Sequence, residues 1–253
     1  MIKITDFSDK RIEEFTHLKE STLLSRELAL CESEKIYLKL IHNNIHIEKI
    51  LCLEEFALKL NLFADNVYVC SRQLLDKISG FKTEYNVIAL FKKPKDHLLN
   101  QLDDKIILLN GLTSPENVGS IVRTAAAFNV NTIITDKKTC SPFLRRCIRV
   151  SMGNIFYMKT FTSSDLKSDL LELKNLGYSI FSTANIPGAV DYNSIQFPTK
   201  SVLIIGSEGH GIDQEIFDVS DKTLFIPINE HVAHLNASNA ASIFLSKINS
   251  RLN

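Results

Sequence analysis

Four short runs in the second half of the chain are apolar on both alternations: Ile106-Ile107-Leu108-Leu109, Thr132-Ile133-Ile134-Thr135, Tyr178-Ser179-Ile180-Phe181 and Ser201-Val202-Leu203-Ile204-Ile205. A strand with one wet face alternates apolar and polar residues; a strand covered on both faces does not. Segments with helical spacing separate the runs: 118–128, 142–150 and 164–176. Strands alternating with helices describe an α/β domain with a mostly parallel sheet covered on both sides. Periodicity alone points to a Rossmann-like domain and goes no further.

The first half reads differently. Residues 9–26 place Ile12, Phe15, Leu18 and Leu23 at helical spacing on a polar background, which predicts a surface helix. Strands are predicted at 27–32, 47–53, 66–70 and 86–91, with a helix at 33–42. A further helix at 72–78 is capped by Ser71 and ended by Gly80. This is a small α/β domain. The charged stretch Phe91-Lys92-Lys93-Pro94-Lys95-Asp96-His97 is the natural linker, so domains are expected at 1–97 and 98–253.

The chain has 253 residues with 29 Lys plus Arg against 29 Asp plus Glu, so bulk charge suggests no nucleic-acid partner. Any such contact must rest on a local patch. Lys137, Lys138, Arg145, Arg146 and Arg149 form one basic run, for which a solvated face is an equal alternative. Of the five cysteines, Cys31, Cys52, Cys70, Cys140 and Cys147, none forms a CxxC pair or a zinc-ligand cluster. They are expected to be buried thiols in a reducing cytosol, and no metal is expected. The start lacks a signal pattern, and no apolar run approaches the ~20 residues of a membrane helix. A cytoplasmic location without membrane contact follows as the expectation.

Three loops carry the functional signal. In the first, Ser114 suits an N-cap and Pro115 the first helical position, which puts Asn117 and Gly119 at a helix start that favours anions. Ser120, Arg123, Thr124 and Ala127 share one helical face. A capped helix with a solvated arginine fits this segment equally well. The second, Gly206-Ser207-Glu208-Gly209-His210-Gly211, lets a ligand approach the main chain closely. It is neither the GxGxxG fingerprint nor a P-loop, which counts against a nicotinamide or nucleoside-triphosphate site. The third runs from Ile226-Pro227 to His234-Leu235-Asn236-Ala237-Ser238 and opens a helix of small residues. Such a helix also suits tight C-terminal packing, and the two roles are compatible.

In order and content, these three segments resemble the signature motifs of the SpoU (TrmH-like) branch of SPOUT RNA 2′-O-ribose methyltransferases, and the resemblance covers essentially the whole chain. It implies a substrate-binding domain with an L30e-like fold, then a catalytic domain whose C-terminal segment threads a trefoil knot. It implies S-adenosylmethionine as cofactor, a tRNA or rRNA substrate, and a homodimer through the catalytic domain. Asn117, Arg123, Glu208 and Asn236 match catalytic positions; Thr183, Ala184, Gly206, Gly211, Ile226, Leu235 and Ser238 match cofactor-binding ones. Ser151-Met152-Gly153 resembles a further signature. Glu32 matches the acidic residue of a conserved strand whose following glycine is Ser33 here. Three other positions depart from the pattern: Ser114 stands for Asp, His234 for Ser and Asn154 for Ala. The His234 departure keeps open a catalytically impaired RNA-binding protein of the same fold.

Overall fold

The computed structural model describes residues 1–80, 82, 84–207 and 209–248. The chain divides into two compact units, residues 1–94 with 143–156, and residues 95–142 with 157–253.

The first unit begins with β1 (Ile2–Lys3), α1 (Glu13–Thr16) and α2 (Glu20–Ser25). The single surface helix expected at 9–26 is thus broken. Lys19 is extended at φ −65°, ψ 146° between the two pieces, and Ile12 and Leu23 are buried in the core instead of riding on the surface. Then follow β2 (Leu28–Glu32), α3 (Glu34–His42), β3 (Ile47–Leu53), α4 (Glu54–Lys59), β4 (Val67–Cys70), α5 (Arg72–Ser79) and β5 (Val87–Lys92). The strands form one sheet in the order β1-β4-β3-β5-β2, with β1, β4 and β3 parallel and β5 antiparallel to β3 and β2. Ser71 caps α5 by accepting from the Leu74 amide, and Gly80 ends it at φ 79°. The six residues of α4 are too few to display a 3.6-residue period, so the pattern concealed it. Cys31, Cys52 and Cys70 are buried in this sheet; burial pushes all three thiols up, Cys52 to about 12.

The second unit opens with β6 (Lys105–Asn110), α6 (Pro115–Ala127) and β7 (Thr132–Thr135). The chain then returns to the first unit through α7 (Arg145–Val150), inside the segment 143–156. That segment was expected beyond the domain boundary at 97. Its anchor is electrostatic: Arg145 and Arg149 both bond to the Glu32 carboxylate, Arg149 at 3.3 Å. The Glu32 side chain is fully buried, and a buried charge holds its partners tightly because losing one leaves the other uncompensated. After α7, Ser151 is buried and Gly153 turns at φ 72°; a Cβ there would lie 3.1 Å from Ile36 of α3. The Ser151-Met152-Gly153 signature is therefore a helix stop packed on α3.

The second unit continues with β8 (Lys159–Thr162), α8 (Leu166–Asn175), β9 (Ser179–Thr183), β10 (Val190–Asp191), β11 (Ser201–Gly206), α9 (Gln214–Val219), β12 (Lys222–Phe225) and α10 (Ala237–Ile248). All seven strands are parallel, in the order β10-β12-β9-β11-β6-β7-β8. Ile106, Leu108, Val202 and Ile204 pack with Leu170 and Leu173 of α8 and Ile216 of α9. Their neighbours Ile107, Leu109, Leu203 and Ile205 point to the other face and are equally buried. This two-sided burial is what the apolar runs foretold. β8 and β10 are edge strands and carry no two-sided apolar run; β8 buries only Thr160.

Ser33 carries the clearest local conflict. It sits at φ 79°, ψ 147°, a region that only glycine enters without cost, while its hydroxyl caps α3 by accepting from Ile36. Strain of about 1–3 kcal/mol outweighs the few tenths of a kcal/mol that Gly concedes as an N-cap. Ser33→Gly is therefore expected to raise stability by about 1 kcal/mol, read as a higher denaturation midpoint at unchanged m-value. A lower midpoint would contradict this.

Candidate active site

Parallel strands deliver all their C-terminal ends to one edge of a sheet, and ligands of such sheets bind there. In the second unit, a cleft of about 290 Å³ opens at the ends of β9, β11 and β12, close to the lower bound of about 300 Å³ for small-molecule sites. Its walls are the strand ends Thr183, Gly206 and Phe225, the segment after β12, and the start of α10. Thr183, Ala184, Gly206, Gly211, Ile226 and Leu235 all line it. The structure thus brings together six residues drawn from three separated segments.

Each is placed by a local cause. The Thr183 hydroxyl donates to the Ile204 carbonyl at 2.8 Å, so towards a ligand it keeps only acceptor capacity. The Ala184 amide donates to the Leu224 carbonyl at 3.0 Å. Ser207 and Gly211 exchange both backbone bonds, at 2.9 and 3.2 Å, and fold the glycine turn back on itself. That turn needs a bare Cα at Gly206: a Cβ would meet the Gly211 carbonyl carbon at 2.5 Å and its oxygen at 2.6 Å. Gly211 itself has φ 69°.

Ser238 does not line the cleft. Its amide and hydroxyl both donate to Asn236 Oδ1, at 2.9 and 2.7 Å, and this closes the turn into α10. Asn236 in turn donates through Nδ2 to Asn117 Oδ1 at 3.0 Å. Leu235 and Ala237, on either side of Asn236, both face the cleft. Asn117 is therefore one hydrogen bond from the cleft wall, and the motif-one and motif-three segments are joined. Ser242 and Thr124 extend this seam between α10 and α6, 3.4 Å apart.

Ser114 caps α6 as its sequence predicts, accepting from the Asn117 amide at 3.4 Å, with Pro115 at the first position. Asn117 is buried, while Glu116 beside it is exposed and places a carboxylate in the first turn of the helix. Arg123 is exposed and has no ion-pair or hydrogen-bond partner among the described residues. Glu208 lies outside the described residues. His234 is exposed at the mouth of the cleft.

The basic run is largely committed elsewhere. Arg145 and Arg149 hold Glu32, and Lys138 pairs with Asp213 at 2.9 Å. Lys137 and Arg146 are exposed. Lys138 holds the Asp213 carboxyl below the usual carboxylate range, with a second contribution from Asn110. Among the described residues no His, Cys, Asp and Glu cluster is arranged for a metal ion, and no helix is long and apolar enough to cross a membrane.

Sequence reasoning missed Leu224, Phe225 and Phe244 as cleft residues. They are ordinary apolar positions of a strand and a helix, and only the fold turns them inward. Phe244 is held edge-on by Tyr192, with ring centroids 5.6 Å apart.

Comparison with known proteins agrees with this geometry. Residues 104–246 match the model of the SpoU rRNA Methylase family. An uncharacterized tRNA/rRNA methyltransferase of Borreliella burgdorferi is 30% identical, covering 94% of this chain and 98% of that protein. One of Mycoplasma genitalium is 28% identical over 84% and 90%. Among solved structures, an AdoMet-bound rRNA methyltransferase from Sinorhizobium meliloti superposes with a TM-score of 0.88 at 20% identity, over 99% and 98% of the two chains. The SpoU methyltransferase AviRb from Streptomyces viridochromogenes, in complex with AdoMet, gives 0.80 at 20% identity, over 96% of this chain and 97% of that chain.

The glycine turn supplies a direct test. Gly206→Ala is expected to cost about 2 kcal/mol through overpacking against the Gly211 backbone, seen as a lower midpoint in chemical denaturation. A variant as stable as the parent would show that the turn is not closed as described.

Proposed function

The chain belongs to the SpoU family of RNA methylases, and from that premise we propose that it transfers a methyl group from S-adenosylmethionine to a ribose 2′-hydroxyl of tRNA or rRNA. The observation that carries this reading is the convergence of Thr183, Ala184, Gly206, Gly211, Ile226 and Leu235 on one cleft.

The cleft fits the cofactor chemically. Its apolar walls, including Ile205, Leu224 and Phe244, suit an adenine ring, and the Gly206–Gly211 turn brings backbone within reach of a ligand. When bound, the cofactor supplies a methyl group already activated by a sulfonium, so the protein's task is positioning and charge control.

Arg123 is the charge-control group. A guanidinium stays protonated at any working pH and cannot serve as a base. It can bind an RNA phosphate and stabilise negative charge developing on the 2′-oxygen. Asn117, fixed by Asn236, orients the start of the helix that carries it. The exposure of Arg123 supports a homodimer in which the motif-one helix of one subunit completes the site of its partner. A cytoplasmic location and a knotted catalytic domain belong to the same proposal.

Arg123→Ala is expected to lower methyl transfer about 100-fold or more while calorimetric affinity for S-adenosylmethionine stays within about twofold. Lost cofactor binding with normal turnover of the remaining complex would refute the role. A wild-type protein that binds RNA without any turnover would instead favour the impaired RNA-binding reading.

A further inference from the structure

A polar cluster, buried at Asn110, Asp136 and Thr139 and open to solvent at Asp213, lies beside the cleft, and none of its members lines it. Asn110 ends β6, paired in register with Gly206 of β11, and is almost fully buried. Its Nδ2 donates to Asp136 Oδ2 at 2.9 Å and to Asp213 Oδ2 at 3.3 Å. Its Oδ1 accepts from the Asp213 amide at 3.0 Å. One carboxamide therefore bonds the loop after β7 and the far end of the glycine turn to β6.

The rest of the cluster satisfies the two carboxylates. Asp136 accepts from the Thr139 amide at 2.8 Å, and the Gly111 amide lies 3.1 Å from its Oδ2. The Thr139 hydroxyl is 2.6 Å from Asp136 Oδ1. Lys138 pairs with Asp213 at 2.9 Å and, with Asn110 and His210, holds its carboxyl below the usual carboxylate range. Two carboxylates facing the same point need a group there that donates two protons. A neutral carboxamide does this; a carboxylate donates none and adds a third negative charge.

We propose that Asn110 is a positioning residue for the cofactor cleft: its amide holds the Gly206–Gly211 turn closed from behind, and cofactor affinity depends on it. The cofactor part rests on the function proposed above. The clamp itself does not, since it can be read in the ligand-free protein.

The test is Asn110→Asp in the full chain, compared with wild type at equal pH by two readouts. One is the dissociation constant of S-adenosylmethionine. The other is hydrogen-exchange protection of amides 209–213 without ligand. At about pH 8 the variant presents three facing carboxylates. Its affinity is expected to fall about tenfold, and the turn amides to lose protection while the strand interiors keep theirs. Towards about pH 5.5, proton uptake by the crowded carboxylates restores a donor, so both ratios to wild type should move back towards one. Wild-type protection of the turn in the variant at about pH 8 would overturn the clamp. Lost protection with unchanged affinity would overturn its link to the cofactor. If wild type binds no S-adenosylmethionine, the cofactor link fails along with the functional reading, and the exchange data still decide the clamp.

Should Asn110→Asp fail to fold, Asn110→Ala removes both donated protons without adding a third negative charge. The turn amides of the Ala variant are expected to lose protection while the strand interiors keep theirs, and wild-type protection of its turn would count against the clamp.

Discussion

Everything at the site depends on the parallel register of the second sheet. Gly206 lies beside Asn110, Leu203 beside Phe181, and Leu224 beside Thr183. Because every strand runs the same way, the loops after β9, β11 and β12 leave from one edge. A single reversed strand would send its loop to the opposite edge, and no cleft would form. The two-sided apolar burial of β6, β9 and β11 is what holds this register, and it gives the site a rigid floor.

Charge is distributed with equal economy. The fully buried Glu32 draws Arg145 and Arg149 into the first unit, and Asp213 draws Lys138 to the back of the glycine turn. These cations stabilise structure. Arg123 differs in having no such partner among the described residues, and it stands on the helix that the Asn117–Asn236 bond ties to the cleft. In a chain with balanced charge, an exposed and uncommitted guanidinium beside an organised loop is a stronger functional signal than a basic run.

Much of this was legible in the sequence because the decisive features are local. Runs such as Ile106–Leu109 announce a doubly covered strand, and Ser114-Pro115 and Ser71 announce helix starts. The cleft residues were legible through the motif resemblance, not through periodicity. What stayed hidden is non-local. Nothing in the run from Lys137 to Arg149 says that two of its arginines belong to Glu32, more than a hundred positions earlier. Nothing about Ser238 shows that its hydroxyl turns to Asn236 and away from the cleft. The break at Lys19 was masked because the buried positions on either side still mimic helical spacing.

Backbone amide NMR during titration with S-adenosylmethionine tests the central claim most directly, since it reports each loop separately. Saturable shifts should appear together at Ala184, Gly206, Gly211 and Leu235, with the amides of β7 and β8 nearly unmoved. Saturation with those four unmoved, or shifts clustered at another edge of the sheet, would mean that the converging loops do not form the methyl donor's seat.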